Sequence, residues 1–542
     1  MFAARLKPAS LCAAFSSAIL VLACSIALAV APDTAYAKGH IPWNEALGVN
    51  MDTFLDNAEA HRTRYYGTPY SMEERYGGPG VGMDCSSFWS FLIMNEGPVS
   101  QSTMERKTGV WGGYNTTVSI IQWVLDNDIL FETGKGTDIW KGKIKLAKGD
   151  FIIETGDASY KDFDKLWYSA SHVSFYWGLD FSWYTAGLRA WHSTNGSGNL
   201  VSGGFWGDEN VFVVHGSGTP DPAIDKLPSF DLSRYAGQTA LDTMQRVAYA
   251  GFGGSTKGTV ILSSSDGYWD ALTANGIAGL LDAPVLMTSP TKLSPQTKSV
   301  LEQLKPRKVI ICGGTAAVSK SVESAFKNAV KNVSVVRYAG DTATGTANAI
   351  FQNMLKTDKK FSTAFVCTNN GYWDALAAAP ISYAKGMPIF LTEGRNSISK
   401  ATLNAMKQGG IKKVYIVGGT AAVSDKVATS IKNAGIEVVK RFGGATAIET
   451  SELVAEFGSS IGMSIERIGV ATVNGYWDAL TGAAFCGRNG EVLLLVDDKY
   501  SHSITGFMAS HAKAIKGMSV FGGYSAISPL TDETAVRTIL GV

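Results

Sequence analysis

From Arg234 to the C terminus, short β-rich apolar runs alternate with amphipathic stretches. In the first third of that region Thr259–Ser263 reads as a strand, Asp270–Leu281 as a helix and Pro284–Thr288 as an apolar strand. Ser294–Leu304, Val309–Cys312 and Ser319–Asn328 then read as helix, strand and helix. Such alternation predicts a parallel sheet covered by helices on both faces. Upstream, residues 171–178 alternate strictly, which puts His172, Ser174 and Tyr176 on one face of a strand and Val173, Phe175 and Trp177 on the other. Asp84-Cys85-Ser86-Ser87 opens the apolar run Phe88–Met94, the pattern of a helix N-terminus. Arg5 and Lys7, the small apolar run 11–31 and Ala35-Tyr36-Ala37 together predict a secretory signal peptide cleaved after Ala37. No later stretch is apolar for the roughly eighteen residues a membrane span needs, so the mature chain is expected to be exported without membrane insertion.

The alternating region repeats itself. Gly-Tyr-Trp-Asp-Ala-Leu occurs at 267–272, 371–376 and 475–480. Gly-Gly-Thr-Ala-Ala-Val-Ser occurs at 313–319 and 418–424 and returns as Gly-Gly-Tyr-Ser-Ala-Ile-Ser at 522–528. An Arg-aromatic-(Ala/Gly)-Gly-x-Thr-Ala element begins at Arg234, Arg337 and Arg441. These markers divide the region into three units, 234–336, 337–440 and 441–542, each long enough to be a domain. Ser319, Ser424 and Ser528 stand where helix N-caps belong. The recurring Trp269, Trp373 and Trp477 with Asp270, Asp374 and Asp478 read as core packing and helix capping, with ligand contact as the alternative. Cys312 and Cys367 read as core positions, because by the period they exchange with apolar or small residues. No nucleotide-binding glycine motif and no metal-ligand spacing occurs, so neither cofactor nor metal is expected.

These repeats resemble the bacterial cell-wall-binding repeat of the second type, a Rossmann-like α/β unit that occurs in tandem threes. The resemblance implies non-covalent anchoring of a secreted protein at the bacterial cell surface, through an anionic polymer attached to peptidoglycan.

Gly216–Pro222 is a linker by composition, which gives a linker 216–233 and an N-terminal domain 38–215. In that domain a cysteine at a helix N-terminus faces free backbone N–H groups and the helix dipole, which favour its thiolate. His172 on one strand and His192 at the end of the next supply a base and an orienting partner. Tyr70, Gly77-Gly78, Met83-Asp84-Cys85-Ser86, Leu146-x-x-Gly149-Asp150 and Ser171-His172-Val173 resemble the NlpC-type cysteine peptidases, α+β papain-like enzymes that cut cell-wall stem peptides. The resemblance implies Cys85 as nucleophile, His172 as general base and His192 as the third member. It also implies Tyr70 beside the nucleophile, with Asp84 and Ser86 lining the pocket for the stem peptide's amino end. Two departures stand out. Ser87 replaces the usual glycine, and segment 100–145, with Trp111, Trp123 and Trp140, reads as an insertion able to reshape the cleft. Three functions stay open: an endopeptidase cleaving γ-D-glutamyl–diamino-acid bonds, an N-acetylmuramoyl-L-alanine amidase, and a non-catalytic surface adhesin.

Length and charge sharpen this. A chain of 542 residues needs several cores. Its formal charge of +1 is a cancellation. Residues 38–222 hold 14 Lys and Arg against 22 Asp and Glu, a net of −8, whereas 223–542 hold 32 against 24, a net of +8. A basic repeat region suits a polyanionic wall polymer; nothing suggests nucleic acid.

Overall fold

The computed structural model describes residues 36–65, 68–113, 115–156, 158, 165, 170–180, 187–191, 193, 209–226, 230–253, 258–498 and 505–542. Most of the expected signal peptide and His192 lie outside these residues. Among the described residues no helix is long and apolar enough to cross a membrane. The chain forms two compact units that part at Asp225 and Lys226.

The first unit is α+β. Six strands, β1 (Tyr36–Lys38), β2 (Phe131–Lys135), β3 (Phe151–Gly156), β4 (His172–Asp180), β5 (Gly187–Trp191) and β6 (Asn210–Val214), line up in the order β1-β2-β6-β3-β4-β5. The helices Met51–Ala60, Cys85–Glu96 and Thr117–Asp126 come before most of the sheet in the chain. Trp43, Phe54, Phe151 and Phe175 meet at 5.5–6.1 Å in tilted and edge-to-face contacts that build a dense aromatic core. Trp89 on the Cys85 helix joins it through Phe151 at 5.4 Å and Trp123 at 5.9 Å.

Three sequence expectations change here. Segment 100–145 is no appendage, because it supplies β2 inside the sheet and Trp123 in the core. The expected signal cleavage after Ala37 falls within β1, whose three residues pair with β2. Residues 216–225 are not a free linker. Gly216 N–H donates to Asp150 at 2.8 Å, Ser217 N–H donates to Asn44 at 2.8 Å, and the Tyr176 hydroxyl donates to Asp221 at 3.0 Å. Asp150, which anchors Gly216, is buried; it accepts from Ala147 N–H and its carboxylate meets the His215 imidazole.

The second unit holds three four-stranded parallel sheets. The predicted strands of the first repeat form as β8 (Thr259–Ser264), β9 (Val285–Thr288) and β10 (Lys308–Cys312). These runs are apolar on both faces because helices cover both sides of the sheet. The fourth strand of each sheet comes from the sequence that opens the next repeat. β11 (Ser334–Tyr338) completes the order β11-β10-β8-β9. β12 (Thr363–Cys367), β13 (Ile389–Leu391) and β14 (Lys413–Val417) are completed by β15 (Glu437–Phe442), in the order β13-β12-β14-β15. The third sheet, β16 (Ser464–Thr472), β17 (Glu491–Val496) and β18 (Gly517–Phe521), is closed by Asp231–Tyr235, the strand β7 that precedes the whole array. Sequence repeat and structural sheet are thus out of phase by one strand, and the three repeats close into a ring. Cys312 and Cys367 are fully buried core residues, as expected, and Cys486 is fully buried as well. Ser319 and Ser528 accept from the N–H three residues on, as N-caps do; Ser424 makes no such bond.

Candidate functional site

Cys85 is the first residue of its helix. Asp84 is the N-cap, and its carboxylate accepts from Ser87 N–H at 2.7 Å while the Ser87 hydroxyl accepts from Asp84 N–H at 2.9 Å. This reciprocal capping box explains the serine at position 87: its hydroxyl has a structural task that glycine lacks. The Asp84 carboxylate is 2% exposed and also receives the Ser86 hydroxyl at 2.9 Å, with Arg75 at 3.4 Å. Asp84 and Ser86 are therefore committed to holding the helix start.

The Cys85 thiol donates to the Ser171 carbonyl at 3.8 Å, and the Val173 N–H points back at the sulfur. The sulfur thus lies against the backbone on both sides of His172, the first residue of β4. β5 lies beside β4, and Ser193, just past its end, donates its hydroxyl to Met83 O at 3.1 Å, two residues before the cysteine. Tyr70 pairs by a backbone bridge with Met83, and the pKa of its hydroxyl is pushed upward by burial, with Cys85 and Asp84 adding to the effect. Cys85, Tyr70, Asp84 and Ser86 gather at the start of this helix, against the backbone on either side of His172; His192 falls outside the described residues.

The electrostatics differ from the sequence expectation. Burial pushes the Cys85 thiol up to about 12, assisted by the Asp84 carboxylate and opposed by the N–H groups of Val173, Ser86 and Cys85 itself. Burial pushes His172 down to about 4. Desolvation outweighs the helix N-terminus, so at neutral pH the resting pair is a thiol and a neutral imidazole.

The sequence reading missed a second cluster, built around a buried acid at the end of the same helix. Glu96 accepts from the Tyr65 hydroxyl at 2.6 Å and pairs with Arg64 at 3.0 Å and His61 at 2.9 Å. It ties the segment leading to Tyr70 onto the end of the Cys85 helix. An acid closing an otherwise apolar helix is the only trace it leaves in the sequence.

In the second unit all three sequence markers meet at the C-terminal ends of the strands. Each Trp indole donates to a carbonyl of the next repeat: Trp269 to Asn369 at 2.7 Å, Trp373 to Val473 at 2.9 Å and Trp477 to Ser265 at 2.8 Å. Their neighbours Tyr268, Tyr372 and Tyr476 donate to the same carbonyls, and their three rings meet 5.4–5.5 Å apart. The tryptophans are latches between repeats, and Trp373 and Trp477 stay more than a third exposed, so the core-packing expectation fails for them. The aspartates that follow do not cap their helices, whose N-cap positions are Tyr268, Tyr372 and Tyr476. They press against Gly313, Gly418 and Gly522, where a Cβ would collide with the carboxylate. The recurring arginines hold the same turns. Arg337 donates to Gly313 O at 2.8 Å, Arg441 to Gly418 O at 3.1 Å and Arg234 to Gly522 O at 2.6 Å.

The family model described as Cell wall binding domain 2 (CWB2) matches residues 234–323, 337–428 and 441–531, together half of the chain. The chain belongs to the CWB2 family. The three parallel-sheet units are its CWB2 repeats. The N-acetylmuramoyl-L-alanine amidase LytC of Bacillus subtilis (strain 168) is 30% identical over 243 residues, 45% of this chain and 46% of that protein. The amidase enhancer of the same organism is 34% identical over 163 residues, 30% of this chain and 21% of that protein. The chain thus spans less than half the length of these curated relatives. Among solved structures, Cwp6 from Clostridium difficile shares the fold at a TM-score of 0.50 and 17% identity, over 75% of this chain and 65% of that one.

Proposed function

We propose that this protein is a secreted peptidoglycan hydrolase held at the bacterial cell wall by its CWB2 repeats, with Cys85 as nucleophile and His172 as general base. The observation that carries the reading is the Cys85 sulfur at a helix N-terminus, against the two residues flanking His172. The preferred substrate bond is the γ-D-glutamyl–diamino-acid amide of a stem peptide, from the resemblance of the motifs around Cys85 to NlpC-type peptidases. His172, neutral at rest, takes the thiol proton as the sulfur attacks the amide carbon and then passes it to the leaving amine. Water hydrolyses the resulting thioester and restores the thiol. Backbone N–H groups at the helix start are available to the developing oxyanion. In this scheme Tyr70 borders the substrate, and His192 orients the imidazole.

A second reading, cleavage of the muramoyl–L-alanine amide, is favoured by the activity named for the relative LytC. That match is longer than the 225 residues preceding the second unit, so it draws on the repeats and speaks less directly for the Cys85 site. Either bond is an amide, open in this scheme to the same thiol and imidazole chemistry. Incubation of the protein with purified muropeptides, read by mass spectrometry, separates the readings. Release of peptides beginning at the diamino acid supports the first, and release of intact stem peptides supports the second. Turnover that persists in Cys85→Ala overturns the nucleophile, and no turnover with either substrate leaves the adhesin reading.

A further inference from the structure

The three repeats are alike enough to be compared position by position, and at the N-terminal ends of their strands the charge pattern breaks the symmetry. The third repeat balances its cations internally: Lys516 pairs with Glu466 at 2.8 Å, and Arg467 pairs with Asp231. The second pairs Lys413 with Glu437 at 3.8 Å. Strand registers identify the matching positions. Glu437 faces Lys413 and Asp231 faces Gly517, and the residue facing Lys308 in the first repeat is Ser334. Glu466 O accepts from Lys516 N–H and Ser362 O from Lys412 N–H, and in the first repeat Gly258 O accepts from Arg307 N–H. Both acidic positions of the third repeat are therefore neutral in the first.

The cations remain. A cavity of about 340 Å³ opens at this end of the first repeat, between the ends of the helices Pro295–Leu304 and Lys320–Ala329, lined by Lys305, Arg307 and Lys331 with Glu302. Lys305 and Lys331 are exposed and, among the described residues, have no acidic partner. Glu302 faces Lys298 at 3.6 Å. The undescribed residues 254–257, Gly-Ser-Thr-Lys, add no acid. Helix C-termini carry partial negative charge that offsets some of this field, yet the second repeat has the corresponding helix ends, Lys400–Gln408 and Asp425–Asn433, and still keeps its acid. The first repeat thus lacks an acid at both matched positions and holds a hollow lined by three cations and one acid.

We propose that this hollow is an anion subsite of the first repeat, which takes a phosphate or carboxylate group of the anionic wall polymer in place of the missing acids. The proposal rests on the wall-anchoring reading above and assigns it a location. The test uses the full chain in two charge-matched pairs, Lys305→Glu with Lys331→Glu in the first repeat and Lys407→Glu with Lys412→Glu in the second. Inorganic polyphosphate and poly-L-glutamate serve as soluble probes, and cell-wall sacculi are used before and after acid removal of their anionic polymers. The expected result is about a tenfold weakening for the first pair alone, with a shallower salt dependence. The probe that is weakened more identifies phosphate or carboxylate as the bound group. Equal loss from both pairs, or no loss from either, overturns the subsite. Failure of the unsubstituted protein to bind untreated sacculi overturns the anchoring reading instead.

Discussion

The Trp477 indole nitrogen donates to the carbonyl oxygen of Ser265, 212 residues earlier, at 2.8 Å. This bond joins the last repeat to the first and repeats the latch that Trp269 and Trp373 make between consecutive repeats. Trp477→Phe keeps most of the ring and removes the donor. The expected loss is about 1 kcal/mol, the net worth of one hydrogen bond, because Tyr476 still satisfies the same carbonyl. Denaturant unfolding of the full chain checks this. A midpoint unchanged in the second unit would mean the ring is held closed by β7 alone.

Gly418 has a φ of +113° and sits against the Asp374 carboxylate. Gly418→Ala adds both backbone strain and a collision, so it is expected to cost about 2 kcal/mol or more. Adding Asp374→Ala removes the collision and leaves the strain. The double variant should therefore recover part of the loss, which a double-mutant cycle measures. Full additivity would show that the carboxylate is not the obstacle.

Burial raises Asp374 and Asp478 to about 6, with Thr243 and Arg234 drawing Asp478 back down. A carboxyl raised in the folded state favours folding while protonated. That contribution is complete below the ordinary aspartate value near 4 and is lost as pH rises through about 6. The array should thus lose stability from pH 4 to 6.5, the reverse of a salt-bridged carboxylate. Unfolding midpoints across this range should fall less steeply in Asp374→Asn with Asp478→Asn. An unchanged slope would assign the effect to other groups, among them Asp532 and Glu491, both raised to about 7.

A resting Cys85 thiol at about 12 and a His172 imidazole at about 4 have a consequence for rate. Turnover should rise as His172 loses its proton near pH 4 and then stay level through neutrality, and iodoacetamide should label Cys85 more slowly than a free thiol. A bell-shaped profile falling near pH 8, with rapid labelling, would instead indicate a thiolate–imidazolium pair. Slow labelling alone therefore does not separate enzyme from adhesin; muropeptide turnover does.

Periodicity made the repeats legible, because a strand covered on both faces and a helix on a sheet each leave a local pattern. The site was legible for a similar reason. Asp84-Cys85 announces a helix start, and the alternation from His172 announces a strand. The state of the site was not legible, since the position of Cys85 at a helix N-terminus is local whereas its desolvation depends on Ser171, Val173 and the aromatic core. Asp84 and Ser86 likewise looked available in the sequence and are spent on each other in the fold.

By itself, then, the sequence determined three homologous parallel-sheet repeats of the CWB2 family, an α+β unit ahead of them and a split of charge between the two. Only the tertiary structure decided that β7 closes the third sheet, that the tryptophans are latches, and that the first repeat alone lacks its acids around a hollow. Hydrophobic period is written over a few neighbouring residues. Strand partners and counter-charges more than 200 residues apart leave no local pattern, and packing alone brings them together.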